Sequence, residues 1–318
     1  MNKLFTFLCG ASAFCAIAFS VTACAPMQDD NTGDNGNTPN PPTPSYTVAE
    51  SLENFTALLQ EGKTEIGIGA EIPLAAAVEA IPVGDNQITL VLLADMTAGG
   101  VTVAEDKDIV LDFNNHTYTV SSETVGSAGT ESNGLWLHKT ASVTLKNGTL
   151  KNASDDTGAK ILIQNYSDLT LDNFTVDATD SASGYGLYAV SNNFGTLTLK
   201  NGTNILAKEG EVAFDLWYGM SEVYDAGVEI TAEETAGKIQ GKVEYGAASR
   251  VTEAGWEAKA KITVKGGEFN GTLVATSGND LANANISVSG GKFTVDPTPY
   301  LAQGHTVKQE NGYFVVSK

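Results

Sequence analysis

The sequence predicts an all-β protein, a right-handed parallel β-helix solenoid, from a repeated phrase, its spacing and the composition. Five stretches repeat one nine-residue phrase, in which two apolar residues flank a Thr or Ser and an Asn or Gly follows, and they begin at Ser142, Asp168, Thr196, Lys261 and Asn285. The alternation is typical of a strand with one buried face, and Asn or Gly suits a tight corner. The copies begin 26, 28, 65 and 24 residues apart, and such a return of strand and corner indicates a stack of about nine coils.

The composition favours strands and tight corners and argues against nucleic acid as a partner. The 318 residues include 33 glycines, and only 18% are charged. The formal net charge is -20, and Arg250 is the single arginine. Because phosphate binding requires clustered positive charge, we expect no nucleic acid partner.

Residues 1–23 are predicted to be a lipoprotein signal peptide. Lys3 precedes an uncharged apolar run from Leu4 to Val21, and Val21-Thr-Ala-Cys24 resembles the lipobox of bacterial lipoproteins. That resemblance implies cleavage before Cys24 and attachment of a diacylglycerol to its thiol, so that the membrane is a partner through this anchor. The alternatives are an ordinary secretory signal or a transmembrane anchor with an incidental cysteine.

Residues 24–46 are predicted to be the lipidated cysteine followed by a disordered linker rich in Pro, Asn and Gly. Gln28-Asp29-Asp30 resembles the export signal of Bacteroidetes surface lipoproteins. This resemblance implies an outer-membrane lipoprotein that faces the extracellular side. The display leaflet stays open at this point.

Residues 47–318 are predicted to form the β-helix domain, with a cap at each end. Thr47 is expected to cap a helix over Val48–Gln60 that covers the edge of the first coil. A divergent coil is expected near Gly227–Ile230, and a looped insertion around Lys238–Trp256. The Asn-Gly turn within Thr306–Val316 predicts a hairpin that caps the C-terminal end.

The opening helix, the Ile109–Thr117 stretch and the Leu-Thr-Leu-Lys-Asn-Gly corners resemble right-handed parallel β-helix proteins of the pectin-lyase-like class. More narrowly, they resemble adhesin-like surface proteins of gut bacteria. This resemblance implies a non-catalytic protein that acts in adhesion or binds a glycan or a host-surface protein. One alternative is a polysaccharide lyase or glycoside hydrolase of the same fold, and another is a purely structural coat protein.

The residues that such enzymes need are scarce in this sequence. Arg250 lacks an obvious acidic cluster, and the carboxylate pair Asp155-Asp156 is more typical of a solvated loop. The three histidines, His116, His138 and His305, lack a second ligand at a useful spacing. The sequence therefore predicts no catalytic residue, no metal site and no cofactor.

One candidate binding surface emerges from strand alternation. If Leu135 and Leu137 point inward, Trp136 points outward, and the step that separates the first two copies of the phrase adds Leu162 and Tyr188. Trp217 (or Asp215) would come next. These side chains, Trp136, Leu162, Tyr188 and Trp217, are predicted to form an exposed stripe for a glycan or a protein partner. The alternative is a ladder that only stiffens the solenoid or is covered by residues 177–184.

Overall fold

The computed structural model describes residues 45–84, 86–219, 227–251, 254–276 and 278–318. It confirms the predicted all-β parallel solenoid, with 47% of residues in strands, 9% in helices and about eight turns rather than nine. Pro44–Lys318 form one compact unit. The signal peptide, Cys24 and most of the linker lie outside the described residues.

Each turn of the solenoid contributes strands to up to three parallel ladders. The first ladder consists, in stacking order, of β1 (Thr47–Ala49), β2 (Glu65–Ile68), β3 (Ile88–Leu92), β6 (Asp108–Asp112), β9 (Ser142–Asn152), β11 (Asp168–Asp177), β13 (Thr196–Lys200), β16 (Val228–Ala232), β19 (Ala260–Val264) and β22 (Asn285–Val288).

The second ladder shares the long strands β9 and β11, which continue through the corner. Its other members are β4 (Met96–Ala98), β7 (Thr117–Val120), β14 (Asn204–Leu206), β17 (Lys238–Gln240), β20 (Glu268–Asn270) and β23 (Gly291–Phe293). The third ladder consists of β5 (Val101–Val103), β8 (Asn133–Leu137), β10 (Ile161–Asn165), β12 (Tyr188–Asn193), β15 (Val212–Tyr218), β18 (Lys242–Ala247) and β21 (Leu273–Ala275).

The repeated phrase stacks on itself in register and forms the core. The first apolar position of every copy lies in one buried or half-buried column that also includes the divergent coil: Val143, Leu169, Leu197, Ile230, Ile262 and Ile286. Each fully buried aliphatic side chain of this kind contributes about 1.5–3 kcal/mol to the free energy of folding. Each copy of the phrase therefore adds one layer to the hydrophobic core.

The asparagines of the phrase adopt the left-handed conformation that the corners require. Asn147, Asn173 and Asn201 have φ values of 56°, 50° and 48°. The Asn173 Nδ2 donates to the Asn147 Oδ1 at 3.2 Å, and the Asn201 Nδ2 donates to an Asp172 oxygen at 2.6 Å. These corner side chains therefore link neighbouring turns on the outside of the solenoid.

The N-terminal helix is present but begins later than predicted. Helix α1 spans Leu52–Gln60, and the Ser51 Oγ accepts a hydrogen bond from the Asn54 N–H at 3.1 Å. Ser51 rather than Thr47 is therefore the N-cap, and Thr47 starts strand β1, whose pairing with β2 outweighs helix formation. A second helix, α2 (Leu74–Ala80), follows and was not predicted. Within the described part of the chain, no helix has the length and apolar character needed to cross a bilayer.

The predicted insertion at Lys238–Trp256 is wrong over most of its length. Strand β17 pairs with β14 and β20, and strand β18 pairs with β15 and β21, so this segment completes a regular turn. Polar and small residues flank the buried Ile239 and Tyr245, so the segment lacks the two closely spaced apolar residues by which the other strands were recognised. Among the described residues between β18 and β19, only Trp256–Lys259 form a further element, a short 3-10 helix.

The predicted C-terminal hairpin is confirmed. Strands β24 (Thr306–Glu310) and β25 (Tyr313–Ser317) are antiparallel, and β25 pairs with β23 at the end of the second ladder. Asn311 and Gly312, with φ values of 50° and 83°, make the turn between them. The hairpin thereby covers an edge that would otherwise be open to another chain.

Candidate functional site

The four side chains predicted to form an exposed stripe do not share one column. Trp136 is in register with Gln164, two positions beyond Leu162. Leu162 itself is fully buried in the core, with 0% of its surface exposed. Tyr188 lies on another outward position and donates its hydroxyl to the Glu244 Oε2 at 3.2 Å. The stripe prediction is therefore wrong in its geometry.

The error has a simple physical cause. In the first ladder Ser142 lies opposite Asp168, whereas in the third ladder Leu135 lies opposite Ile163, which is a longer step along the chain. The corner between β8 and β9 has four residues and the corner between β10 and β11 has two, and this difference makes the step longer in the third ladder. The number of residues between paired positions therefore differs from ladder to ladder, although the distance between neighbouring strands is the same in every ladder.

The column that contains Trp136 is polar. Between Thr102 at one end and Val274 at the other, its members in stacking order are Trp136, Gln164, Ser191, Asp215 and Glu244. The Gln164 Nε2 donates to the Ser191 carbonyl oxygen at 3.2 Å, and the Ser191 Oγ donates to the Asp215 Oδ2 at 3.2 Å. Asp215, which was predicted as the alternative to Trp217 at the end of the stripe, therefore lies in the same column as Trp136.

Asp215 is an unusually buried carboxyl group for the outer face of a solenoid. Only 6% of its surface is exposed, and its Oδ1 accepts the Asn192 N–H at 2.6 Å. Burial, together with the charge of Glu244 on the next strand, raises the pKa of Asp215 to about 7 even though these hydrogen bonds act in the opposite direction. A carboxyl group that titrates near neutrality beside a second carboxylate is a potential acid–base pair.

Aromatic side chains gather instead at the corner that follows the third ladder. The rings of Tyr166 and Phe194 are stacked with centroids 6.1 Å apart, and Phe194 meets Trp217 edge-on at 6.0 Å. All three are half-buried, and the Arg250 guanidinium lies 5.9 Å from the Trp217 ring. We call Tyr166, Phe194 and Trp217 the aromatic corner. Of the predicted stripe, only Trp217 belongs to it.

Phe194 occupies a backbone conformation that large residues rarely adopt. Its φ is 67°, a region in which a side chain bearing Cβ costs about 1–2 kcal/mol. Asn fills such corner positions in the repeated phrase, so the ring of Phe194 is held at the surface at a cost in stability. Strain of this kind concentrates at functional sites. The Asn-Asn-Phe-Gly sequence was the signal that could have revealed this position.

Two fully buried amides hold the aromatic corner in place. The Asn165 Nδ2 donates to the Asn192 Oδ1 at 2.6 Å and to the Thr196 carbonyl oxygen at 2.8 Å. The Asn165 Oδ1 accepts the Ser167 N–H at 2.9 Å, and the Asn192 Nδ2 donates to the Gly195 carbonyl oxygen at 3.1 Å. Each amide thus binds the chain on the far side of Tyr166 or Phe194. Satisfied buried networks of this kind make a site rigid.

A pocket of about 350 Å³ lies beside the aromatic corner. Tyr166 and Phe194 contribute to its lining, together with two acidic residues, Asp168 and Glu229, and three lysines, Lys139, Lys259 and Lys261. The Lys261 Nζ lies 3.0 Å from a Glu229 oxygen, and the Asp168 Oδ1 accepts the Thr196 hydroxyl at 2.8 Å. The pocket therefore offers an aromatic surface, hydrogen-bond donors and acceptors within a small volume.

The remaining candidates stay apart from this site. The His116 Nδ1 lies 3.2 Å from the Asp95 Oδ1, and the His138 ring is tilted against the Trp136 ring with centroids 4.1 Å apart. In an exposed loop the Asp155 Oδ1 accepts the Thr157 hydroxyl at 2.5 Å and the Thr157 N–H at 3.0 Å, and these hydrogen bonds lower the pKa of Asp155. Across the described ranges, no group of three His, Cys, Asp or Glu side chains is placed to hold a metal ion.

Comparisons with known proteins leave the site to be interpreted from its own geometry. No protein-family model matches the sequence, and neither the curated proteins nor the solved structures give a significant match.

Proposed function

We propose that this chain is a non-catalytic, surface-displayed binding protein whose aromatic corner and adjacent pocket bind a glycan. The observation that supports the proposal is the placement of the stacked Tyr166 and Phe194 rings on the wall of a pocket that also carries carboxylate and ammonium groups. Aromatic faces pack against the apolar faces of sugar rings, and paired donors and acceptors bind hydroxyl groups.

The charge of the chain favours a neutral glycan over a polyuronate. The formal net charge of the chain is -20, whereas the two carboxylates that line the pocket are offset by three lysines, Lys139, Lys259 and Lys261. A polyanion would be repelled over distances of about 8–10 Å at physiological ionic strength. Neutral hydroxyl groups, in contrast, can donate to Asp168 and Glu229.

The same proposal includes anchoring of the chain in the outer membrane through a lipid on Cys24, with the solenoid on the extracellular side. A host-surface protein that presents glycans is then a second kind of partner. Metabolic labelling with a fatty acid, compared between the natural chain and Cys24→Ala, tests the anchor. Protease treatment of intact cells tests display, because a chain that survives it intact is not on the surface.

A glycan array probed with residues 25–318 tests binding, followed by titration of the best ligand. We expect Tyr166→Ala and Trp217→Ala each to weaken binding at least tenfold, since truncation of an aromatic residue at the centre of a binding site costs about 2 kcal/mol or more. Trp136→Ala is the matched control, because its ring lies in the other column, and should change affinity less than twofold. Equal losses in all three variants would contradict the assignment to the aromatic corner.

A second candidate function, glycoside hydrolysis, is favoured by the Asp215–Glu244 pair. These residues are in register on neighbouring parallel strands, so their backbones lie about 4.8 Å apart. In such a mechanism protonated Asp215 gives its proton to the leaving oxygen while the Glu244 carboxylate attacks the anomeric carbon. Water then releases the sugar, as in retaining glycosidases. Asp215 is covered on most sides, so a substrate would have to displace neighbouring side chains such as Tyr188.

Incubation with the array-positive glycan separates the two functions. Reducing-end products that disappear in both Asp215→Asn and Glu244→Gln would establish hydrolysis at this pair. If the glycan binds without being cleaved, and both variants bind it as tightly as the natural chain, the non-catalytic function is supported and glycoside hydrolysis is rejected.

A further inference from the structure

The pocket beside the aromatic corner is elongated along the axis of the solenoid. Its lining includes residues from each of five successive corners between the third and first ladders, among them Thr140, Ser167, Gly195, Gly227 and Lys259. Neighbouring turns lie about 4.8 Å apart, so the distance from the first of these corners to the fifth is about 19 Å. We call this elongated pocket the axial groove. A ligand that follows it can contact several turns at once.

One side of the axial groove carries a polar side chain from each of four successive turns. Asp168, Thr196, Glu229 and Lys261 are in register in one column of the first ladder, and all four line the groove. The Thr196 hydroxyl donates to the Asp168 Oδ1 at 2.8 Å, and the Lys261 Nζ lies 3.0 Å from the Glu229 Oε1. Carboxylate, hydroxyl and ammonium groups therefore follow one another at the interval of one turn.

The side formed by the corners is aromatic over two of the five turns. The half-buried, stacked rings of Tyr166 and Phe194 belong to the second and third corners. Lys139 lines the groove at the first corner and Lys259 at the fifth. The groove therefore offers aromatic surface on two neighbouring turns and charged groups at both ends.

Glycines allow the corners of neighbouring turns to stack closely along the groove. A side chain at Gly195 would overlap the Ser167 carbonyl oxygen. A side chain at Gly227, whose φ is 93°, would overlap the Lys259 carbonyl oxygen. The backbones of these corners are thus in direct contact, and neither position carries a side chain that could divide the groove.

Two residues of the axial groove have a strained backbone. Among the described non-glycine residues with positive φ, Thr140 is the one with a β-branched side chain and Phe194 is the one with an aromatic side chain, with φ values of 63° and 67°. Both line the groove, although they lie two turns apart. Strain of this kind concentrates at binding sites, so its presence on separate turns argues for a ligand that extends beyond the aromatic corner.

A linear oligosaccharide matches the repeat of the axial groove. A pyranose ring with its glycosidic oxygen has nearly the length of one turn of the solenoid, so consecutive sugars would face consecutive turns. The faces of the rings can pack against Tyr166 and Phe194, and the hydroxyl groups can form hydrogen bonds with the polar column. A single sugar, in contrast, would leave most of the groove unoccupied.

We propose that the axial groove binds an unbranched neutral glycan of about four sugar units, extended parallel to the axis of the solenoid. This inference rests on the proposed glycan-binding function and adds the length, shape and direction of the ligand. A branch on an inner sugar would meet one of the two sides of the groove, which is why the ligand is unbranched.

Calorimetric titration of residues 25–318 with a length series of the array-positive glycan tests the proposal. We expect affinity to rise at least tenfold from the disaccharide to the tetrasaccharide, and less than twofold from the tetrasaccharide to the hexasaccharide. A disaccharide or a branched tetrasaccharide that binds as tightly as the linear tetrasaccharide would overturn this inference and leave glycan binding itself intact. Failure of every length to bind would overturn the proposed function as well.

Two lysine variants test the direction of the ligand. Lys261 and Lys265 lie on the same strand, β19, and each forms an ion pair with a glutamate of the preceding turn at 3.0 Å, but only Lys261 lines the groove. We expect Lys261→Ala to weaken tetrasaccharide binding at least fivefold and disaccharide binding less than twofold, because the disaccharide occupies the aromatic turns. Lys265→Ala is the matched control and should change both less than twofold. Equal effects of the two variants, or an effect of Lys261→Ala that does not depend on glycan length, would refute the axial direction.

Discussion

The stability of this protein should fall as the pH rises, because of Asp215. The pKa of this carboxyl group is raised from 3.8 to about 7 in the folded chain, mainly by burial and further by Glu244. Between these two values the folded state holds a proton that the unfolded state has released. The free energy of unfolding therefore decreases by about 1.4 kcal/mol per pH unit, or about 4 kcal/mol from pH 4 to pH 7, and this contribution levels off above pH 7.

Asp215→Asn removes the titrating group and keeps an oxygen that can accept the Asn192 N–H. Urea unfolding of residues 25–318 at pH 4.5, 6 and 8 should show the variant close to the natural chain at pH 4.5. At pH 8 the variant should be the more stable of the two, by up to about 4 kcal/mol. Asp156→Asn, in an exposed loop, is the control and should show no such gain. A difference between Asp215→Asn and the natural chain that does not depend on pH would refute the reasoning.

Three further expectations concern the corners and the caps. Asn165→Leu should lower the free energy of unfolding by about 3 kcal/mol or more, since it leaves several buried partners, including Asn192, without hydrogen bonds; guanidinium denaturation measures this. Asn201→Ala should lower the melting temperature more than Asn201→Gly does, because glycine tolerates the φ of 48° without the strain that alanine incurs, and equal effects would argue against left-handed strain. Removal of residues 302–318 should uncover β23 and cause concentration-dependent association in light scattering, whereas a monodisperse monomer would show that the hairpin is not needed as a cap.

Much of the fold could be predicted from the sequence because each copy of the phrase contains the residues that determine its own strand and corner. Val143 and Leu145 alternate with polar residues, and Asn147 can turn the corner without much strain. Identical local patterns must then stack, since only a neighbouring copy can bury the same face. The same argument identified the terminal hairpin, where Asn311 and Gly312 specify the turn.

The site was harder to predict from the sequence, because it depends on which residues of successive turns lie next to each other. The aromatic corner joins Tyr166, Phe194 and Trp217, which come from three successive turns, are unevenly spaced along the chain and share no periodic pattern. Their meeting depends on the lengths of the loops between ladders. Those lengths change from turn to turn and carry no hydrophobic signal.

By itself the sequence determined most of the strands, the corners, the stacked core and the C-terminal hairpin, since alternation and turn chemistry act between residues close along the chain. Only the tertiary structure decided that Leu162 is buried, that Trp136 stacks above polar residues and that Asp215 holds its proton near neutrality. These properties arise between residues on different turns of the solenoid, where one added residue in a corner shifts every contact across the ladder.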